Sequence, residues 1–308
     1  MAADPPPLID LRLGTRQSPL ALAQTDLVKE ALSAQYPQIN LRTVPITTRG
    51  DRDLTTPLDS LPATGYFTKE LEAALLDERI DLAVHSLKDL AAQTPDPFIL
   101  GAVLPRGPAR DVLVLNPRYE SLADLPERAL ILTGSVRRAR LLQRVLPGCE
   151  TRPLRGNIQT RLNKLVEENA DALVMAEAAI RRLGLHGKHI VPLPVEEIVP
   201  APGQGAIGLE ILAGRSDLAE LLQPLDDPAT RQATDMERHL AALLEAGCSV
   251  PLGAHVYVAD SQLMFLAAYY SAGEAEPHLG RLQLPLDADP RESAEKMATL
   301  LRAGATVP

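Results

Sequence analysis

Residues 80–89 read Ile-Asp-Leu-Ala-Val-His-Ser-Leu-Lys-Asp. A short apolar run closed by polar residues reads as a buried strand, Ile80 to Val84, that opens into His85-Ser86. It has a counterpart in Asp171-Ala172-Leu173-Val174, and a similar succession precedes each. Before the first, Ile9 to Leu13 alternates as a strand. Ser18 and Pro19 then supply the N-cap and first position of a helix, with Leu20, Ala23, Leu27 and Ala31 at helical spacing. A strand from Ile39 to Ile46 ends at Thr48-Arg49-Gly50-Asp51, and a loop from Leu54 to Tyr66 leads into a helix from Phe67 to Leu76. Before the second, a strand from Ala129 to Leu132 ends in Thr133-Gly134-Ser135. A helix over 136–145, a strand over 150–154 and a helix over 158–168 follow, the strand ending in Arg155-Gly156-Asn157. This alternation predicts parallel sheets in two α/β units facing each other across a ligand cleft. The proline-rich stretches 104–108 and 191–202 are the candidate crossings. After Pro224 the pattern changes. A helix over 230–246 stops at Gly247, a C-cap residue. Strands over 255–258, 263–270 and 281–286 and a helix over 290–302 predict a small α+β unit.

The chain has 308 residues and a formal net charge of −9. Hydrophobic residues make up 45%, enough for buried cores, and aromatics only 3%, so those cores are aliphatic. The acidic balance argues against general nucleic-acid binding, which needs a basic footprint. No segment has the apolar length of a membrane span. Met1-Ala-Ala-Asp-Pro-Pro-Pro has neither basic start nor apolar run, so it does not read as a signal peptide. Two cysteines, Cys149 and Cys248, make no disulfide framework and favour a reducing cytosol. His85 stands without paired ligands, so no metal site is expected.

Within this acidic chain, basic and hydroxyl residues gather at the strand-to-helix junctions. They are Arg16 with Ser18, Ser86 with Lys88, Ser135 with Arg137 and Arg138, and Arg155 with Arg161. Helix N-termini attract anions, and guanidinium forks match carboxylates and phosphates. Repetition of the pattern implies a small ligand with many negative groups. Arg137 and Arg138 oppose the dipole of the helix they start, which calls for an anionic partner. Asp89 reads either as a solvated first-turn carboxylate or as a group that stabilises a cation and moves a proton. Cys248, after a helix C-terminus that would not stabilise a thiolate, reads either as a buried thiol or as a one-time covalent attachment point.

These segments, together with Phe67 to Glu72, Arg181 to Gly184, Pro202 to Gly208 and Gly247 to Pro251, span nearly the whole chain in order. As a set they resemble the hydroxymethylbilane synthase, or porphobilinogen deaminase, family. The resemblance implies two periplasmic-binding-protein-like α/β domains, 8–104 with 200–222 and 105–199. A third, α+β domain over 223–308 would carry a three-stranded antiparallel sheet and the cofactor cysteine. It implies a transferase of tetrapyrrole biosynthesis, as in porphyrin and heme formation. Such an enzyme joins four porphobilinogen molecules head to tail with loss of ammonia and releases linear hydroxymethylbilane. It implies a dipyrromethane cofactor held as a thioether on Cys248, and a cytoplasmic monomer with no nucleic-acid or membrane partner. By the same resemblance, Asp89, Lys88 and Arg16 are catalytic, Asp89 binding pyrrole N–H groups and stabilising the azafulvene left by ammonia. Ser86, Lys88, Asp89, Thr133, Ser135, Arg137, Arg138, Arg155 and Gly156 hold the cofactor, and Arg16, Ser18, Gln24, Arg155, Arg161, Arg182 and Gln204 the substrate. Each pyrrole carries two carboxylates, which accounts for the arginines. The chain departs from the family in a lid loop, where Ser60 and Thr64 replace lysines and Arg52 is a candidate substitute. Gly134 also replaces a hydroxyl residue and Ala246 a glycine. The competing reading is a non-catalytic polycarboxylate-binding protein on the same scaffold, which leaves Asp89 and Cys248 without a purpose.

Overall fold

The computed structural model describes residues 9–53, 65–187, 189–246, 250–271 and 273–304. The first unit runs β1 (Ile9–Arg16), α1 (Pro19–Gln35), β2 (Ile39–Ile46), α2 (Arg49–Arg52), α3 (Lys69–Leu76), β3 (Leu82–Ser86) and β4 (Phe98–Val103). The chain then crosses to a second unit of β5 (Asp111–Leu115), β6 (Leu130–Leu132), α4 (Val136–Val145), β7 (Glu150–Arg152), α5 (Ile158–Glu167), β8 (Ala172–Ala176), α6 (Glu177–Arg182) and β9 (Ile190–Pro192). It returns as β10 (Ile207–Leu212) and α7 (Ser216–Leu222), and finishes with α8 (Pro228–Leu243), β11 (Leu252–Ala259), β12 (Gln262–Tyr269), β13 (His278–Leu284) and α9 (Pro290–Arg302).

The two five-stranded sheets have orders β2-β1-β3-β10-β4 and β7-β6-β8-β5-β9. They correspond position by position, so the repeated succession in the sequence is a repeated topology. The sheets are mixed rather than parallel, which corrects the expectation. β10 lies antiparallel between β3 and β4, and β5 antiparallel between β8 and β9. The cause is the double crossing: the strand that arrives from the opposite unit enters each sheet backwards.

Local chemistry sets where the helices begin. Ser18 Oγ accepts from the Ala21 N–H at 3.3 Å, with Pro19 in the first turn of α1. Ser135 and Asn157 cap α4 and α5 in the same manner. Asp227-Pro228 and Asp289-Pro290 repeat the cap-and-proline device at α8 and α9. The third region begins earlier and is more extended than the sequence suggested: α8 starts at Pro228, β11 at Leu252 and β13 at His278.

Its three-stranded sheet is antiparallel throughout. Leu263, Phe265 and Ala267 of β12 pack with Met236 and Leu240 of α8 and Met297 and Leu301 of α9. The alternate residues Leu266, Ala268 and Tyr270 pack with Leu113, Ile131 and Leu141 of the second unit. The period-two alternation of one strand thus glues the third region to the second unit. It also fixes the end of α8 that precedes residues 247–249.

At the crossings, Gly205 adopts φ +91°, and a Cβ there would stand 2.5 Å from the Gly107 carbonyl oxygen. That oxygen belongs to the other crossing strand, so the two crossings touch backbone to backbone. Gly205→Ala combines a left-handed strain with a backbone clash. It should lower stability by at least about 2 kcal/mol in urea unfolding. Gly214→Ala, with open space around its Cβ position, should leave the midpoint unchanged.

Candidate active site

The C-terminal end of β1 carries Arg16 to the cleft. Its guanidinium grips Asp51, with Nη2–Oδ1 at 2.5 Å and Nε–Oδ1 at 3.1 Å, and lies 4.2 Å from the centre of the Phe67 ring. Burial raises the Asp51 carboxyl, but the hydrogen bonds and charge of Arg16 outweigh it and hold Asp51 below its ordinary range. The end of β3 carries Ser86, whose hydroxyl exchanges hydrogen bonds with the Gln24 side chain at 2.9 and 3.1 Å. One turn of 3₁₀ helix, Leu87–Asp89, presents Lys88 and Asp89. Arg16, Ser18, Gln24, Phe67, His85, Ser86 and Asp89 line one small cavity.

From the second unit, Arg137 and Arg138 point inward rather than toward solvent, 6% and 7% exposed. Their anionic partner is in the chain: Asp111, fully buried at the start of β5. Arg138 Nη2 donates to its Oδ1 at 2.6 Å and Arg137 Nη2 to its Oδ2 at 2.7 Å. Burial alone would raise this carboxyl. The charges of Arg138 and Arg137 and their hydrogen bonds instead hold it far below the carboxylate range. Gln204 completes the node. Its amide donates to Asp111 Oδ1 at 2.7 Å and to the Ala109 carbonyl at 2.6 Å, and its carbonyl oxygen accepts from Lys88 Nζ at 3.1 Å. Thr133 and Ser135 act on the loop itself: Thr133 Oγ1 accepts from the Ser135 N–H, and Ser135 Oγ caps Arg138. Gly156 (φ +116°) has no room for a Cβ against Thr160, and its carbonyl accepts from Arg161 Nε at 2.8 Å. Arg155 reaches across the cleft to the Asp53 carbonyl at 3.2 Å and sits 5.8 Å from the Tyr66 ring centre.

The result is a cleft with too little negative charge. Lys88 is accessible at the cleft surface, yet the surrounding walls desolvate it and Arg138 repels it. Together they push its ammonium down to about 8 despite Asp89 and Asp111. Burial and the repulsion of Arg138, Arg155 and Arg16 push Arg161 down to about 10, with Asp89 acting the other way. Arg138 also keeps its buried Nε without a hydrogen-bond partner among the described residues. Uncompensated cations of this kind are ready for carboxylates of a ligand.

Not every expected residue joins this cluster. Arg182 hydrogen-bonds the Gly205 carbonyl at 2.5 Å and lines a different cavity, of about 490 Å³, between α1 and α6 beside Gly107 and Pro108. Burial pushes its guanidinium down to about 10. Arg52 is taken up by Glu70 at 3.1 Å. His85 is buried against Glu210. Ser60, Thr64 and Cys248 lie outside the described residues. Sequence reasoning missed the role of Asp111, which opens the apolar run Asp-Val-Leu-Val-Leu, and that of Glu237. Buried in α8, Glu237 takes both guanidinium arms of Arg106 at 2.7 and 3.0 Å. An acid at the edge of an apolar run is the available signal for Asp111; Glu237, between Met236 and Arg238, carries no such signal.

A family model described as porphobilinogen deaminase, dipyromethane cofactor binding domain, matches residues 11–220. The porphobilinogen deaminase of Chromobacterium violaceum is 45% identical over 251 residues, 82% of this chain and 81% of that one. That of Burkholderia thailandensis is 45% identical over 245 residues, covering 80% and 74%. That of Bordetella parapertussis is 43% identical over 257 residues, covering 83% and 82%. Among solved structures, the periplasmic aliphatic sulphonate binding protein of Escherichia coli overlaps 77% of this chain and 70% of its own. The identity there is 16% and the TM-score 0.38.

Removing Asp111 leaves two buried guanidiniums facing each other, so Asp111→Ala should cost about 3–5 kcal/mol at pH 7. Because its folded pKa is depressed, the contribution of Asp111 is complete above about pH 4 and fades as pH falls below that. Urea unfolding between pH 7 and pH 3 should therefore show the wild-type and variant midpoints converging on acidification. Parallel curves would remove Asp111 from this role.

Proposed function

The chain belongs to the porphobilinogen deaminase family, and we propose that it condenses four porphobilinogen molecules head to tail, releases ammonia at each step and frees hydroxymethylbilane by hydrolysis. The observation that carries this reading is the Lys88-Asp89 turn beside Arg16, Arg138, Arg155 and Arg161: unlike Asp51 and Asp111, Asp89 forms no ion pair with an arginine among the described residues. The cations bind acetate and propionate groups. Asp89 is the only acid of the expected catalytic set. Its carboxylate accepts the pyrrole N–H and offsets the positive charge that develops on a substrate losing ammonia. Having one such acid is sufficient if each addition presents the same geometry.

The cleft suits a dipyrromethane. Four carboxylates would answer the depressed ammonium of Lys88 and the cations massed around Arg161. When bound, the group supplies the pyrrole carbon to which the first substrate is joined. Ser86, Lys88, Thr133, Ser135, Arg137, Arg138, Arg155 and Gly156 would hold it, with Cys248 as the thioether anchor. Among these, Arg137 works through Asp111, and Thr133 and Ser135 through the loop they brace. Arg16, Ser18, Gln24 and Arg161 would receive the incoming substrate. Arg182 and Gln204 contribute from the crossings, Gln204 by holding Lys88. Three domains, 8–104 with 200–222, 105–199 and 223–308, follow from this reading, with the boundaries at the crossings and at the end of α7. We take the enzyme to work as a cytoplasmic monomer with no nucleic-acid or membrane partner. No described helix is long and apolar enough to cross a membrane.

Asp89→Asn keeps shape but not charge. It should fold, retain a mass excess matching a dipyrromethane, and lose at least about 100-fold in ammonia release from porphobilinogen. Near-normal turnover would remove Asp89 from the reaction. Cys248→Ala should lack the mass excess under denaturing conditions. Lys88 holds its proton below about pH 8 and loses it above. KM for porphobilinogen should therefore climb as pH rises through 8 in the wild type and stay flatter in Lys88→Arg. Identical profiles would mean that Lys88 does not bind the substrate as a cation.

A further inference from the structure

Glu210 is fully buried on β10, in the sheet beneath the reaction centre. It pairs with Ala83 while His85 pairs with Gly208, so Glu210 and His85 share the face that carries Ala83. That face is otherwise apolar, packed with Leu71, Ala74 and Leu75 of α3. Glu210 Oε2 lies 3.2 Å from His85 Nε2, and Oε1 has no hydrogen-bond partner among the described residues. From the third region, Arg238 of α8 comes close enough to Glu210 for their charges to interact. Arg238 is itself buried. Its Nη2 holds the Ala91 carbonyl at 2.9 Å and Thr94 Oγ1 at 3.1 Å, while its Nε has no hydrogen-bond partner among the described residues. The carboxylate therefore acts on a residue just before the Ser86–Asp89 turn and on one that clamps the segment just after it. A buried charge with an incomplete hydrogen-bond shell is a poor device for stability alone, since an apolar residue of the same volume serves as well or better.

We propose that Glu210 is a positioning residue, holding the Lys88-Asp89 turn in register with the arginines opposite through His85 and Arg238. The inference rests on the reading of Asp89 as the group at the reacting centre. Displacement of such a group by a fraction of an ångström lowers turnover rather than substrate affinity. Glu210→Gln, with its cofactor mass intact, should show kcat reduced about 10- to 100-fold and KM within about 3-fold of wild type. The double variant Glu210→Gln/Arg238→Gln should lose little more than the worse single one, because the two act through one turn. Should Glu210→Gln fail to fold, Glu210→Asp keeps the charge, withdraws it from His85 and should show the same kcat loss. Wild-type kcat in folded Glu210→Gln or Glu210→Asp, with only a lowered melting temperature, overturns the proposal. Asp89→Asn in the same assay keeps the two ideas apart. Turnover there sinks the role of Asp89, whereas an inactive Asp89→Asn beside a fully active Glu210→Gln sinks that of Glu210.

Discussion

The second unit's side of the cleft depends on one buried carboxylate. Asp111 draws Arg137 and Arg138 inward from the start of α4, against the dipole of their own helix, and ties them to Gln204 on the returning crossing. Gln204 in turn holds Lys88 from the first unit, and its backbone carbonyl accepts from Arg106 Nε at 2.8 Å. Arg106 is clamped by Glu237, which also accepts from the backbone N–H groups of Gly203 and Val256. Two buried acids thus join both sheets and the third region through side chains that converge on two crossing strands. Desolvating these charges is expensive, and only near-complete hydrogen bonding offsets it. The same arithmetic leaves the cleft positive. One carboxylate shared between two guanidiniums cannot neutralise both, and the pull of Asp89 and Asp111 on Lys88, and of Asp89 on Arg161, does not offset burial and the neighbouring cations.

The proposed reaction centre lies at the end of β1 and β3 for a related reason. Both strands stop where a helical turn begins, so their last residues, half-buried, reach the cleft with backbone N–H groups nearby. Arg16 is held rigid there by Asp51 and Phe67, which removes the conformational freedom a long side chain would otherwise lose on binding. Arg155 supplies the opposite tendency. Its contact with Asp53 and Tyr66 spans the cleft and ties the second unit to the first.

The helices and the strands that end at the cleft were legible because their residues carry periodicity and caps: Ser18-Pro19, Ser135, Asn157, and the paired runs Leu82–Val84 and Ala172–Val174. The antiparallel members were not. Asp-Val-Leu-Val-Leu and Ile-Gly-Leu-Glu-Ile-Leu are short apolar runs without alternation, and nothing local says which way such a strand enters a sheet. With β5 and β10 unread, the sheets looked parallel. The same omission hid Asp111 and Glu210, which those strands carry. Arginines were easier to find than their acids, because a cation at a helix start contradicts a local rule, whereas an acid bordering an apolar run is recognised only when its distant partner is known. Arg182 shows the limit from the other side: a basic residue close to a junction in sequence, yet turned toward the crossings.

The place of β10 also has a bearing on how the chain is made. Among the described residues β4 has β10 as its only neighbour in the sheet, and β10 is also what joins β4 to β3. The first unit therefore cannot close its sheet when its own residues leave the ribosome, and β3 and β4 wait with open edges until residues 207–212 arrive. The second unit has no such debt, since β5 to β9 are contiguous. It can finish its sheet first, and the crossing that leaves it then delivers the missing strand. Vectorial synthesis thus makes the middle of this chain, not its beginning, the first part able to complete its sheet.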